Sequence, residues 1–291
     1  MKKQFFMMLA CAGMVVAGCD RKTRTEEGDA AWLYPKTDEQ RIASATARGI
    51  ALTDWHIHIR GGMTPQKAYV REAGCGIRSA VLENLGREWP LSNNVMLAAF
   101  IEDCKTVKGT DGKPMPVGVQ VNDRDWYEQI DPALYAQLDF VLADTMIMGE
   151  TAEGKPRRLW FPDVTIEDAD AWMEEYMAHN LRILGEPVSI LANPTYLPTC
   201  IADQYDRLWT EERMRQVIAK AIERGVALEI QAESEFPKPA FIRLAKQMGA
   251  KFSFGTNNFD DKAKDLSAWF KVIEPFDLQA SDIAEIQRKP L

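Results

Sequence analysis

The stretch Gly49-Ile50-Ala51-Leu52-Thr53-Asp54-Trp55-His56-Ile57-His58-Ile59-Arg60-Gly61-Gly62 decides how the chain is read. As a β-strand, with side chains alternating between two faces, it puts Thr53, Trp55, Ile57 and Ile59 on one side. Leu52, Asp54, His56 and His58 fall on the other. The first face can pack on helices. The second is an Asp-x-His-x-His ladder that stops at Gly-Gly, so both imidazoles fall at the strand's C-terminal end. Two neutral imidazoles at this spacing can bind one metal ion or a close pair. The competing reading is a hydrogen-bonded pair without metal. The chain has three histidines and spends two of them here.

Outward from this strand the pattern alternates between strand and helix signals. Strands are predicted near 50–58, 78–84, 115–121, 138–144, 187–193, 226–231 and 251–256. Helices are predicted near 64–74, 93–107, 166–184, 210–224, 237–248 and 262–274. Thr64-Pro65 supplies a cap and a first-turn proline, and Thr210 opens a helix that stops at Gly225. Seven strand signals with helices between them predict an α/β fold, a closed TIM-like barrel one unit short of eight. One such domain fits the 291-residue length.

The period-two test then assigns strand faces. Val226, Leu228 and Ile230 oppose Glu229 and Gln231, and the valines of 117–121 oppose Gln120 and Asn122. Val188, Ile190 and Ala192 are expected to face helices, leaving Asn193 inward. Phe252 and Phe254 face out, with Ser253, Gly255 and Asn257 inward. Asp144 closes its strand, and residues 79–84 leave Glu83 and Asn84 undecided. Polar strand tips of this kind gather at the end where barrel active sites lie. The loops beyond them carry Arg60, then Arg87 and Trp89, Arg124 and Trp126, and Arg157, Arg158 and Trp160. Guanidinium forks suit phosphate, carboxylate or sulfate, and indoles offer faces for a sugar or base.

The chain's beginning is different in kind. Met1-Lys2-Lys3, an apolar run from Phe5 to Val16, and Val16-Ala17-Gly18-Cys19 read as a signal peptide over residues 1–18, too short to span a bilayer. Its ending resembles the lipobox of bacterial lipoproteins, which implies cleavage before Cys19 and lipid on its sulfur. Residues 19–45 then read as a lipidated cysteine and tether with a docking segment around Trp32, and 46–291 as the barrel. Removing Lys2 and Lys3 takes the net charge from −8 to about −10. An acidic body without a basic stripe argues against nucleic acid as partner. Cys75, Cys104 and Cys200 remain, widely spaced, and are expected to be small buried hydrophobes rather than a disulfide framework.

Asp54-x-His56-x-His58, the seven strand signals and Phe252-Ser253-Phe254-Gly255-Thr256-Asn257-Asn258 together resemble the PHP (polymerase and histidinol phosphatase) superfamily over about residues 48–260. The phrases His56-Ile57-His58-Ile59-Arg60-Gly61-Gly62, Asn193-Pro194-Thr195-Tyr196-Leu197-Pro198 and Phe254-Gly255-Thr256-Asn257-Asn258 are similar to an exported lipoprotein branch of PHP-like bacterial proteins. The resemblance implies a distorted (β/α)7 barrel with a multinuclear metal site that hydrolyses phosphoesters. The ligand set is depleted, however. Asn257-Asn258-Phe259 stands for Asp-Ala-His, Asn193-Pro194 for His-Pro, and Leu82-Glu83-Asn84 for Thr-Asp-His. Neutral amide oxygens do not offset the charge of a metal cluster as carboxylates do. One divalent ion (Zn, Mn or Fe) is therefore the most that is expected, on His56 and His58 with Asp144 or Glu229 as third ligand. His179 lies inside a helix and is left out of the site.

Two functions follow as expectations. One is a metal-dependent hydrolase of the cell envelope, facing periplasm or exterior. In it Asp144, Glu229 and Arg60 do chemistry, while Asn84, Arg87, Gln120, Arg124, Asn193, Asn257 and Asn258 bind a small anionic, sugar-containing molecule. The other is a metal-poor lipoprotein that binds or cleaves a saccharide through carboxylates and amides. The lipid anchor itself is directly testable. In a bacterial host, labelled fatty acid should be incorporated into the wild-type chain and not into Cys19→Ser; equal labelling of the two would refute the anchor.

Overall fold

A computed structural model describes residues 39–109, 112–232, 236–262 and 264–291; the expected signal peptide, Cys19 and the Trp32 segment lie outside the described residues. The strands are β1 (Thr53–His58), β2 (Arg78–Leu85), β3 (Val117–Val121), β4 (Phe140–Asp144), β5 (Ile147–Glu150), β6 (Pro156–Arg158), β7 (Ile190–Ala192), β8 (Ala227–Gln231) and β9 (Phe252–Gly255). Seven of them close a parallel barrel in the order β1-β2-β3-β4-β7-β8-β9, sealed where Asp54 pairs with Phe254. β5 and β6 form a separate antiparallel hairpin after β4. The expected closed seven-stranded α/β barrel is the observed fold.

The helices are α1 (Glu39–Ala47), α2 (Pro65–Cys75), α3 (Asn94–Lys105), α4 (Trp126–Gln129), α5 (Pro132–Tyr135), α6 (Ala169–Ile183), α7 (Tyr205–Leu208), α8 (Glu211–Arg224), α9 (Pro239–Met248) and α10 (Ser267–Ile273). Thr64 caps α2 through Lys67 N–H, and Thr210 caps α8 through Arg213 N–H, each satisfying an orphan donor of the first turn. Gly76 and Gly225 end the same helices in the left-handed region.

Two apolar layers follow from strand alternation. Val117, Val119, Val121, Leu228, Ile230, Phe252 and Phe254 pack outward under the helices. Ala80, Leu82, Phe140, Leu142, Ile190, Ala192 and Ala227 fill the lower barrel interior. β7 therefore runs opposite to the expectation: Ile190 and Ala192 point inward and Leu191 outward. Both faces of β7 are apolar, so alternation carried no information there. Trp55 also departs from its expected face. Pairing of β1 with β2 slips between Asp54 and Ile57, and Trp55 meets Phe140 edge-on at 5.2 Å on the interior layer.

The barrel floor is sealed by the chain's end. Ala284 N–H donates to Phe252 O, Ser189 Oγ to Gln287 O, and Tyr135 Oη to Lys289 O at 2.6 Å. Residues 39–45, read as tether, instead belong to α1, whose Ala45 is buried in the outer core. Of the three cysteines, Cys104 is buried as expected, whereas Cys75 is half-buried and Cys200 exposed, and all three are free thiols. Gly118 is held by sterics: a Cβ there would lie 2.6 Å from the Phe140 ring. Gly118→Ala should cost about 1–3 kcal/mol in urea unfolding; a change under about 0.5 kcal/mol would show that the ring has room to move.

Candidate functional site

The inward residues above the apolar layer are all polar, and they bond to one another. His56, on β1, lies between β8 and β3: its Nδ1 is 2.6 Å from Glu229 Oε1 and its Nε2 is 2.9 Å from Gln120 Oε1. The orientation of Gln120 is set by its other neighbour. Its amide nitrogen donates to Asp144 Oδ2 at 3.3 Å, so its oxygen must face His56. Both ring nitrogens of His56 thus face acceptor oxygens, an arrangement that favours the protonated ring paired with Glu229. Burial alone would lower its pKa, but the charge and hydrogen bond of Glu229, helped by Gln120 and Asp144, raise it.

The network continues around the barrel. Asn193 donates through Nδ2 to Asp144 Oδ1 at 3.1 Å and through its backbone N–H to Glu229 Oε2 at 3.2 Å. Gln231 donates to Asn193 Oδ1, and Asn122 to Asn84 Oδ1, both at 2.9 Å. Asn193 enters the barrel because the backbone turns left-handed there (φ 50°), not because of strand parity. Thr195, two residues on, holds φ 68°, a costly conformation for a β-branched residue. Such strain gathers at functional sites. Asp144 also accepts Met146 N–H at 2.8 Å. Burial lifts the Asp144 pKa, the Met146, Asn193 and His56 interactions offset this only in part, and Glu229 adds to the rise.

A second cluster adjoins the first. His58 lies 5.2 Å from the His56 ring, centroid to centroid, and stacks on the exposed Phe259 at 4.7 Å. Glu83 accepts from Arg60 Nε at 2.9 Å and from Arg60 Nη2, which also lies 3.3 Å from His58 Nδ1. Burial, with the charges of His56 and Arg60, lowers the His58 pKa to about 4, so the ring is neutral at physiological pH. Its Nε2 is buried without a partner.

Of the nominated residues, the barrel brings together His56, Gln120, Asp144, Asn193 and Glu229, with Asn84 joined through Asn122. The arginines are differently placed. Arg60 is forked onto Glu83, Arg87 lies 3.3 Å from Asp123, and Arg124 lies 3.1 Å from Glu186. Each guanidinium is thus already neutralised by a carboxylate. Asn258 is not a ligand-facing group: its side chain caps its own loop, bonding Lys262 O and Asp260 N–H. Asn257 turns the chain at φ 49° and joins neither cluster. Trp126 is buried, with Nε1 donating to Glu186, and Trp89 is covered by Arg158 at 4.5 Å; Trp160 keeps an exposed face.

These residues do not fit the single metal ion expected from the histidine ladder. Both nitrogens of His56 are engaged, Glu83 is committed to Arg60, and His58 Nδ1 faces the Arg60 guanidinium at 3.3 Å, which leaves the single proton of the neutral ring on Nε2. Among the described residues no three His, Cys, Asp or Glu side chains are disposed to hold an ion.

A cavity of about 540 Å³ opens beside the mouth. It is bounded by the loop after β3 (Asn122, Asp123, Arg124, Asp125), the β5–β6 hairpin, and His179 and Arg182 of α6. Sequence reasoning set His179 aside because a histidine in mid-helix gives no signal of what its helix faces.

No protein-family model matches the chain, and no curated protein matches it. Among solved structures, one described as the putative histidinol phosphatase hisK from Listeria monocytogenes is similar over 74% of this chain and 96% of that one. The TM-score is 0.51 and the identity 13%. A D-hydantoinase is similar more loosely, at TM-score 0.35 and 11% identity, over 70% of this chain and 46% of that one. The first likeness supports the closed (β/α)7 barrel fold that the seven strand signals led us to expect. At this identity it establishes the fold alone.

The two histidines should separate on titration. The raised pKa of His56 gives stability that is complete below the ordinary value of 6.5 and is lost as pH climbs through the folded value. The depressed pKa of His58 works in reverse, giving stability above 6.5 that is lost as pH falls toward 4. Long-range ¹H–¹⁵N spectra at pH 6.5 should show one doubly protonated and one neutral buried ring, with Glu229→Gln abolishing the former. Joint titration of both rings near 6.5 would contradict this arrangement.

Proposed function

We propose that this chain is an exported, lipid-anchored hydrolase that acts without a metal on a small, hydroxyl-rich acidic molecule at the barrel mouth, with Asp144 as proton donor. The observation that carries the reading is the setting of Asp144 itself. It is a carboxyl at the C-terminal tip of a barrel strand, raised in pKa by burial and held in one orientation by three hydrogen bonds. A carboxyl with a raised pKa is better suited than a free one to give a proton to a leaving group. His56, one amide away through Gln120, is a fixed positive charge that stabilises the carboxylate left after the transfer. Glu229 is spent on His56, so it is not the second member of a glycosidase carboxylate pair, and water would be activated by another group. Envelope localisation and membrane association rest on the Cys19 reading. The hydrolase class draws support from the barrel and from the phosphatase description of its structural neighbour.

A second reading, a binding protein that passes its ligand on, is favoured by one observation. The His56–Glu229–Gln120–Asp144–Asn193 network satisfies its own donors and acceptors, as a rigid platform would. The two readings part on one variant. Against a panel of glycosides and phosphomonoesters of sugar acids, Asp144→Asn should lower kcat/KM by about 100-fold or more while ligand affinity stays within about threefold. Binding without turnover by the wild-type chain would select the second reading.

A further inference from the structure

The cavity beside the mouth has no part in the proton chemistry of Asp144, yet it is furnished for a ligand. Three polar atoms on its lining residues are buried without a hydrogen-bond partner, Arg124 Nε, His179 Nε2 and Asp125 Oδ1, the last of which pairs only loosely with Arg87. Buried polar atoms without a hydrogen bond are costly and rare, so three on one cavity indicate missing partners. The set is mixed. Arg124 sends its terminal nitrogens to Glu186 and to Val121 O, leaving the Nε–H as a donor. Asp125 Oδ1 is an acceptor, 3.8 Å from Arg87. His179 is held neutral, its pKa lowered to about 3 by burial beside Arg124 and Arg182, so its Nε2 carries either a lone pair or a single proton.

Hydroxyl groups both donate and accept, and they suit this mixture better than any uniformly charged group. Arg182 supplies what Arg87 and Arg124 do not. Its contact is the carbonyl of Arg124 at 3.5 Å, and it forms no ion pair among the described residues. Glu88, Asp123 and Glu150 also line the cavity, and they disfavour a dianion. A volume of about 540 Å³ suits a one- or two-ring molecule.

We infer that this cavity is the binding site for a sugar carboxylic acid, with Arg182 on the carboxylate and Arg124 Nε, Asp125 Oδ1 and His179 Nε2 on the ring hydroxyls. The assignment rests on the ligand class proposed above but not on hydrolysis, and it places recognition on α6 and the loop after β3. Asn122 connects the two regions, since it lines the cavity and also bonds Asn84 within the barrel network.

The test is calorimetric titration of the detergent-solubilised full chain with glucuronate, glucose and glucose 6-phosphate. Glucuronate should bind at least tenfold more tightly than either of the others, and Arg182→Gln should erase that preference with an unchanged melting temperature. Equal affinities for the three probes, no binding of glucuronate, or a preference that survives Arg182→Gln would overturn the site. Failure here is separable from failure of the hydrolase reading. An Arg182-dependent preference without turnover leaves this site standing and removes the hydrolysis. Turnover lost in Asp144→Asn but indifferent to Arg182→Gln does the opposite.

Discussion

A protonated imidazole at the centre of a barrel must be neutralised where it lies, and the pairing of His56 with Glu229 meets that requirement here. The neighbouring strands are shaped around the pair. A Cβ on Gly255 of β9 would collide with Glu229 Oε1 and lie 2.8 Å from His56 Cβ, so glycine is required by close approach. Asp54, two residues before His56, accepts from Thr256 N–H at 2.9 Å and Thr256 Oγ1 at 2.6 Å, tying β1 to the end of β9 where the barrel closes. Losing one partner of such a buried pair leaves an uncompensated charge, at a cost of about 3–5 kcal/mol.

The same pair determines what chemistry remains available. With both imidazole nitrogens of His56 engaged, the strand tips offer a hydrogen-bonded ring of amides around one carboxyl rather than a set of open ligands. Gln120 and Asn193 hold Asp144 between them, and the left-handed turns at Asn193 and Thr195 direct the chain into this arrangement. The cavity under the β5–β6 hairpin differs in character. It contains unmet hydrogen-bonding capacity and, in Arg182, a cation without an ion pair among the described residues, whereas the central network is satisfied internally. Recognition and proton transfer are in this account divided between two neighbouring regions.

Much of this was legible in the sequence wherever alternation separated polar from apolar residues. Gln120 and Asn122 opposite valines, Glu229 and Gln231 opposite Val226, Leu228 and Ile230, and the caps at Thr64 and Thr210 could all be assigned from spacing. β7 could not, because it is apolar on both faces and Asn193 reaches the interior through a backbone turn. The arginine pattern misled for a different reason. Arg124 and Glu186 are 62 residues apart, and no local feature announces that the second neutralises the first. His179 and Arg182 were hidden because a helix face gains meaning only from what packs against it. The C-terminal tail under the barrel floor likewise has no periodicity to betray its role.

Whether His56 is committed to protons rather than to metal is decided by titrating the chelator-treated chain with Zn²⁺ and Mn²⁺. Neither ion should bind stoichiometrically or raise the melting temperature. One tightly bound equivalent, with a higher melting temperature and loss of the doubly protonated imidazole signal, would contradict the commitment to protons.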